Sequence, residues 1–414
     1  MSSASATAPA LPGQASLRVI RMLTYLMFMM FAMTTDSVGV IIPEIIKTFG
    51  LTMAQAGAFQ YATMGGIALA GLCLGFLADR FGRKGAIVLG LVLFALNSLL
   101  FIAGDQFGFF LVLLFVSGAS IGIFKTGALA LIGDISTSTD NHTRTMNMVE
   151  GFFGVGAIVG PALVTQLLKA GLSWKWLYVI AGVLCMLLIL TALLVKYPKT
   201  VRHDAKPVSV MSTLNVLRDP FALAFSLGAM LYVGVEAAIY VWMPTLLKAY
   251  DGSLIFVATY ALSIFFVLRA AGRFLGAFML ARLSWTVVLA ISSGVILLCF
   301  AAALIGGVDT AVISLPLSGL FMSVIYPTLN SKGISCFTKV EHGAVGGVIL
   351  FFTCVSAVLA PLAMGAVSDY FHDPKYGFVL ATVLSALLFG CLVLNHLFNP
   401  SLAKLAKANA SEYG

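Results

Sequence analysis

Apolar runs of roughly 20 residues or more recur along the whole chain, each bounded by short polar segments. They fall near 19–46, 53–78, 86–104, 107–132, 147–169, 176–195, 221–246, 254–281, 286–306, 311–336, 343–368 and 376–398. A helix of that length crosses about 30 Å of hydrocarbon. The pattern predicts an all-α integral membrane fold of twelve transmembrane helices in two six-helix halves. The halves are 18–195 and 220–398, joined by a polar linker at 196–219 and flanked by tails at 1–17 and 399–414. Residues 1–17 are small and polar, without the basic start, apolar stretch and cleavage site of a signal peptide.

Composition agrees with this picture. Of 414 residues, 60% are hydrophobic and only 10% charged, and the mean hydropathy of +1.04 excludes a soluble domain with an ordinary polar surface. The formal charge of +8 would point to nucleic acid in a soluble protein, but here the basic residues gather in loops. About fifteen Lys and Arg lie on the side shared by both termini and about five on the other. The positive-inside rule therefore places both ends in the cytoplasm of a multi-pass cell-membrane protein. The linker contributes Lys196, Lys199, Arg202, Lys206 and Arg218. Six scattered cysteines, with no CxxC, read as small buried hydrophobes and not as metal ligands. No Ser-His-Asp set, zinc cluster, phosphate-cradling loop or ATP-binding domain is present, which argues against an enzyme, a cofactor and ATP-driven transport.

One loop stands out: Gly75-Phe-Leu-Ala-Asp79-Arg80-Phe-Gly82-Arg83-Lys84. Gly75 and Gly82 allow close backbone approach, Asp79 sits where it can pair with a basic group or a helix N-terminus, and Arg80, Arg83 and Lys84 are placed to face anionic lipid. Positive charges alone would serve topology; the glycines and the aspartate go beyond that need and fit a conformational clasp between the halves. The loop resembles the one between helices 2 and 3 of the major facilitator superfamily. The second half narrows the resemblance. Leu231-Tyr232-Val-Gly234-Val-Glu236, Gly319 to Thr328 with Tyr326-Pro327, Lys332-Gly333, and Ala360-Pro361 are similar to the fucose–galactose–proton symporter family. In the first half, Leu51 to Gly57 and Asn147-Met-Val-Glu150-Gly-Phe-Phe153-Gly fit the same family. The resemblance implies an alternating-access carrier that imports a sugar, or a molecule of similar size, with protons in preference to Na+. Efflux of drugs or metabolites by proton antiport is the second reading, weakened because Gly156 to Pro161 carries only half of the antiporter pattern.

Departures from the family pattern are as informative as the matches. An acid that family members carry four residues before the proline, here Pro43, is Gly39 in this chain, and Asp36 lies one turn earlier. A helix-4 glutamate is replaced by Lys125, and helix 5 has Glu150 and Phe153 where amide side chains are the rule. Charges inside a membrane are costly and mark function, so Asp36, Lys125 and Glu150 are expected to partner one another at the centre of binding and coupling. That balance favours a sugar acid or other small anion over a neutral hexose. Glu236 is expected to be held by Tyr232 or a helix-8 arginine. Arg269 and Arg273 share one helix face, Arg269 as an anion contact and Arg273 as a gate or packing group. Asn147, Tyr240, Tyr326 and Asn330 are candidate hydrogen-bonding partners for a polar solute. The five histidines are expected to be solvated, the lipid bilayer is the surrounding partner, and a monomer is expected.

Overall fold

The computed structural model describes residues 14–51, 53–198, 210–247 and 250–412. Calls on the stretches 1–13, 199–209 and 413–414 lie outside the described residues, as do most of the linker's basic groups. Helices dominate because a chain this apolar must satisfy its backbone within each segment when lipid offers no partners. The first span, α1, runs from Gln14–Thr35 and resumes as Val38–Phe49. Then follow α2 (Ala58–Leu74), α3 (Gly82–Leu99), α4 (Phe107–Ile135), α5 (Thr139–Lys169) and α6 (Trp176–Leu194). In the second half α7 comprises Pro220–Ala237, a π-helical turn at Ala238–Trp242 and Met243–Leu247, and α8 is Ala261–Leu280. The helical stretch Trp285–Met322 reverses at Gly307, whose φ of 65° only glycine adopts at no steric cost. That turn divides it into α9 and α10, and α10 continues as Ile325–Ser335. The bundle closes with α11 (His342–Phe371) and α12 (Lys375–Phe398). Where a polar tail was expected, Leu402–Glu412 forms a further helix, α13, with Leu405 and Ala408 buried.

Two local irregularities are written in the sequence. In α1 the run Thr34-Thr35-Asp36-Ser37 turns hydroxyls back on the helix: Thr34 donates to Phe31 O at 2.9 Å, and Ser37 donates to Met33 O at 2.5 Å. Such back-bonding competes with the helical ladder, and the helix breaks at Asp36 and Ser37. In α7 the π turn precedes Pro244, which lacks an N–H and crowds the carbonyl four residues back.

Small residues let the helices touch backbone to backbone. A Cβ on Gly156 or Gly160 would stand 2.1 Å from Met29 O or Met33 O, so α5 lies directly on α1. Between the halves, α2 crosses α11 at Gly71 and Gly347, where a Cβ on Gly347 would be 2.2 Å from Gly71 O. Two apolar cores fill the first half, and one of them runs on into Ile334, Val345 and Ile349 of α10 and α11; a third fills the other half, and Tyr326 packs against it and against the core that crosses the seam. The described ends of the chain, the α2–α3 loop and the α10–α11 loop share one end of the bundle, here called the terminal face.

Candidate functional site

The site lies where the two halves meet, and six charged side chains from five helices approach it. Glu236 on α7 accepts from the Tyr232 hydroxyl at 2.8 Å and pairs with Arg269 Nη2 on α8 at 2.9 Å. Arg273, one turn along α8, pairs across the halves with Glu150 Oε2 on α5 at 3.8 Å and donates to Ser323 O at the break in α10. Both pairs are largely buried, which satisfies charges that would otherwise be costly in the membrane. The glutamate is therefore held by both groups proposed for it, and Arg273 packs against the seam.

The expected mutual pairing of Asp36, Lys125 and Glu150 is not what forms. Glu150 goes to Arg273. Lys125 Nζ sits 5.0 Å from the centre of the Phe153 ring, a cation–π contact, and among the described residues it has no hydrogen bond or ion pair. Asp36 accepts from the Thr35 hydroxyl at 2.8 Å, and its side chain is exposed despite its depth. Lys125, Arg269, Glu236 and Tyr240 lie within electrostatic reach of it, so it stands between groups of both halves and not against lipid. The physical reason is reach: on α8, Arg273 crosses the seam to Glu150 while Arg269 satisfies Glu236 within its own half, which leaves one acid and one base without an ion-pair partner among the described residues. Tyr240 sits in the π turn of α7, and Tyr326 stacks on Tyr232 at 6.4 Å.

Asn147 and Asn330 lie deeper toward the terminal face. Each is buried, and each leaves its side-chain carbonyl oxygen without a partner, although Asn147 donates to Thr143 O at 2.9 Å. Just beyond them the halves are sealed. Thr143 and His142 bond Ser331 at 2.9 and 2.6 Å, and Lys332 bonds Asp140 at 2.6 Å. His342 stands edge-on to His142 with ring centres 6.0 Å apart. Both histidines are fully buried, a correction to the expectation of solvated rings; His372 and His396 are exposed as expected. This seal was missed in the sequence because its residues occur singly at ends of apolar runs; the charge of Lys332 inside a span was the one available signal.

The α2–α3 loop closes the same end. Arg83 is 1% exposed, so it does not face lipid as expected: it pairs with Asp134 at 2.9 Å, donates to Ala78 O at 3.0 Å, and reaches Lys339 O in the α10–α11 loop of the other half. Lys84 caps α6 through the carbonyls of Leu193 and Val195 at 2.9 and 3.0 Å. Arg80 stays exposed beside Phe81, Gly82 adopts a φ of 79°, and Gly75 lies against Gly343 O of α11. The side chain of Asp79 lies outside the described residues. Among the described residues no three His, Cys, Asp or Glu gather as a metal site.

A family profile described as Major Facilitator Superfamily matches residues 24–361. The L-fucose-proton symporter of Escherichia coli strain K12 is 26% identical over 384 residues, covering 83% of this chain and 85% of that protein. A putative glucose/galactose transporter of Helicobacter pylori strain 26695 is 26% identical over 371 residues, covering 84% and 88%. Among solved structures, the transporter FucP in the outward conformation superposes with a TM-score of 0.78 at 24% identity, over 92% of this chain and 99% of that one.

Proposed function

We propose that this chain, which belongs to the Major Facilitator Superfamily and is a multi-pass membrane transporter and not an enzyme, carries a small polar solute inward together with protons. The solute class comprises sugars, sugar acids and other small anions. The observation that carries the reading is an exposed Asp36 and a Lys125 without an ion-pair partner among the described residues, at the seam of two six-helix halves that hydrogen bonds hold together at the terminal face. Charged groups at the seam of two halves, with a breakable seal of hydrogen bonds to one side of them, suit alternating access. Of the relatives named above, the L-fucose-proton symporter supports transport coupled to protons, and it and the glucose/galactose transporter support a solute of sugar size. No separate observation on the site favours efflux.

The terminal face is assigned to the cytoplasm from the excess of Lys and Arg there, and a monomer embedded in lipid is the working unit. A cysteine at Asp373, in the exposed loop after α11, should label from outside intact cells, and one at Lys407 on α13 should not; the reverse pattern would overturn the orientation. A thermal-stability screen of the purified protein against sugars, sugar acids and small carboxylates tests the solute class, since a ligand that binds only the folded state raises the melting temperature. Uptake of the stabilising compound into proteoliposomes under an inward proton gradient tests the coupling. Solute entry that ignores the gradient would refute it.

A further inference from the structure

The six charges at the seam are three acids and three bases, and two ion pairs use up four of them. Asp36 and Lys125 remain, on different helices, each within reach of the other's field but in no direct pair. We infer that Lys125 docks the charged group of a monoanionic solute while Asp36 takes up the accompanying proton, so that each cycle moves one anion and one proton with no net charge. The inference rests on the transporter reading and names its substrate class.

The argument concerns which states can be occluded. When the halves close and water leaves, a net charge at this depth is strongly disfavoured. With the solute absent, ionised Asp36 and Lys125 sum to zero and can collapse on each other. With a monoanion on Lys125, the sum returns to zero only if Asp36 carries a proton. Anion without proton leaves a net negative site, and proton without anion leaves a net positive one. Neither closes, so movement of the two becomes obligatorily linked. A neutral solute fails the same balance: with a proton it leaves the charge of Lys125 uncompensated, and without one it crosses uncoupled. The groups facing Asp36 are Thr35 on its own helix, Lys125 on α4, Glu236 and Tyr240 on α7 and Arg269 on α8. In the step itself, a proton from water on the open side bonds a carboxylate oxygen of Asp36, and it returns to water when the terminal face opens. No other bond changes.

The full-length protein in proteoliposomes provides the test, with D-galacturonate, D-gluconate and L-lactate as monoanionic probes and D-galactose, L-fucose and D-glucose as neutral ones. An inside-alkaline pH gradient should drive at least one monoanion inward, and a potassium–valinomycin potential of either sign should leave its accumulation unchanged within twofold. Lys125→Gln should lower that accumulation at least tenfold. Asp36→Asn should lose gradient-driven accumulation but keep anion counterflow, a split that mere structural damage would not produce. Accumulation of a neutral sugar and no anion would overturn the inference while leaving the transporter reading intact. So would anion accumulation that responds to potential. If no probe of either kind is moved, both fall.

Discussion

Replacing Gly347 by alanine is the sharpest single probe of how the terminal face closes. In the sealed arrangement the new Cβ would stand 2.2 Å from Gly71 O, where ordinary contact begins at 3.4 Å. The obstructing atom is backbone, so no side chain can swing aside, and α2 and α11 must part by roughly 1 Å. Overpacking of this kind costs about 1–3 kcal/mol. Nearly all of that falls on the sealed state, because a conformation in which α2 and α11 separate at this end has room for a methyl group. At 1.4 kcal/mol per tenfold, the ratio of sealed to open molecules should drop by about 5- to 150-fold. Ser331→Cys, buried in the seal, provides the reporter: its maleimide labelling rate from the terminal face, measured with and without Gly347→Ala, should rise in that proportion. Gly71→Ala is the graded control. Its Cβ would meet Gly347 O at 3.1 Å, so only a few tenths of an ångström must be found and the effect should be smaller. Unchanged labelling in a Gly347→Ala protein with an unchanged melting temperature would refute the reasoning, as would a larger effect from Gly71→Ala. If Gly347→Ala does not fold, Gly71→Ala alone should still raise the labelling rate.

Arg83→Gln should destabilise the protein by about 3–5 kcal/mol, because it strands the Asp134 carboxylate in a largely buried position; adding Asp134→Asn should recover much of the loss in thermal midpoint, and no recovery would show that the pair is not the cause. Deleting residues 400–414 removes the contacts of α13 with both halves, Asn409 to Thr139 and Glu412 to Lys339 N, together with the Lys404–Asp219 pair. Terminal-face labelling at Ser331→Cys should then rise, by ~5-fold at most since such partly exposed contacts are worth little individually; slower labelling would contradict a role for α13 in holding the seal. Asp219 outside the membrane supplies a pH test: burial pushes its pKa up, but hydrogen bonds from Lys404 and from the backbone N–H groups of Phe221 and Ala222 outweigh it and hold the value below the ordinary one. Its stabilising contribution is therefore complete above the usual carboxylate range and lost as pH falls through the lowered value. The acid limb of the melting curve should be flatter in Asp219→Asn than in the parent, and identical limbs would refute the assignment.

The sequence by itself determined the number of spans, their division into halves and which charges lie within the spans. Apolar length and the cost of charge in hydrocarbon are properties of short stretches, and they act before any helix meets another. The break in α1 was equally local, since Thr34 to Ser37 carry the hydroxyls that compete with the helix, although only the coordinates made it plain. Tertiary structure decided the partners. The sequence pairs Glu150 with Lys125, but the group that crosses the seam to it is Arg273 on α8, which no spacing in the chain encodes. Arg83 read as a lipid-facing residue because its neighbours are basic, yet the fold places Asp134 and the α10–α11 loop around it. His142 and His342 looked like loop residues until the two halves closed over them. In each case a long polar side chain chooses among distant groups, and the choice follows from how two rigid bundles dock, a matter of helix packing between segments far apart in the chain.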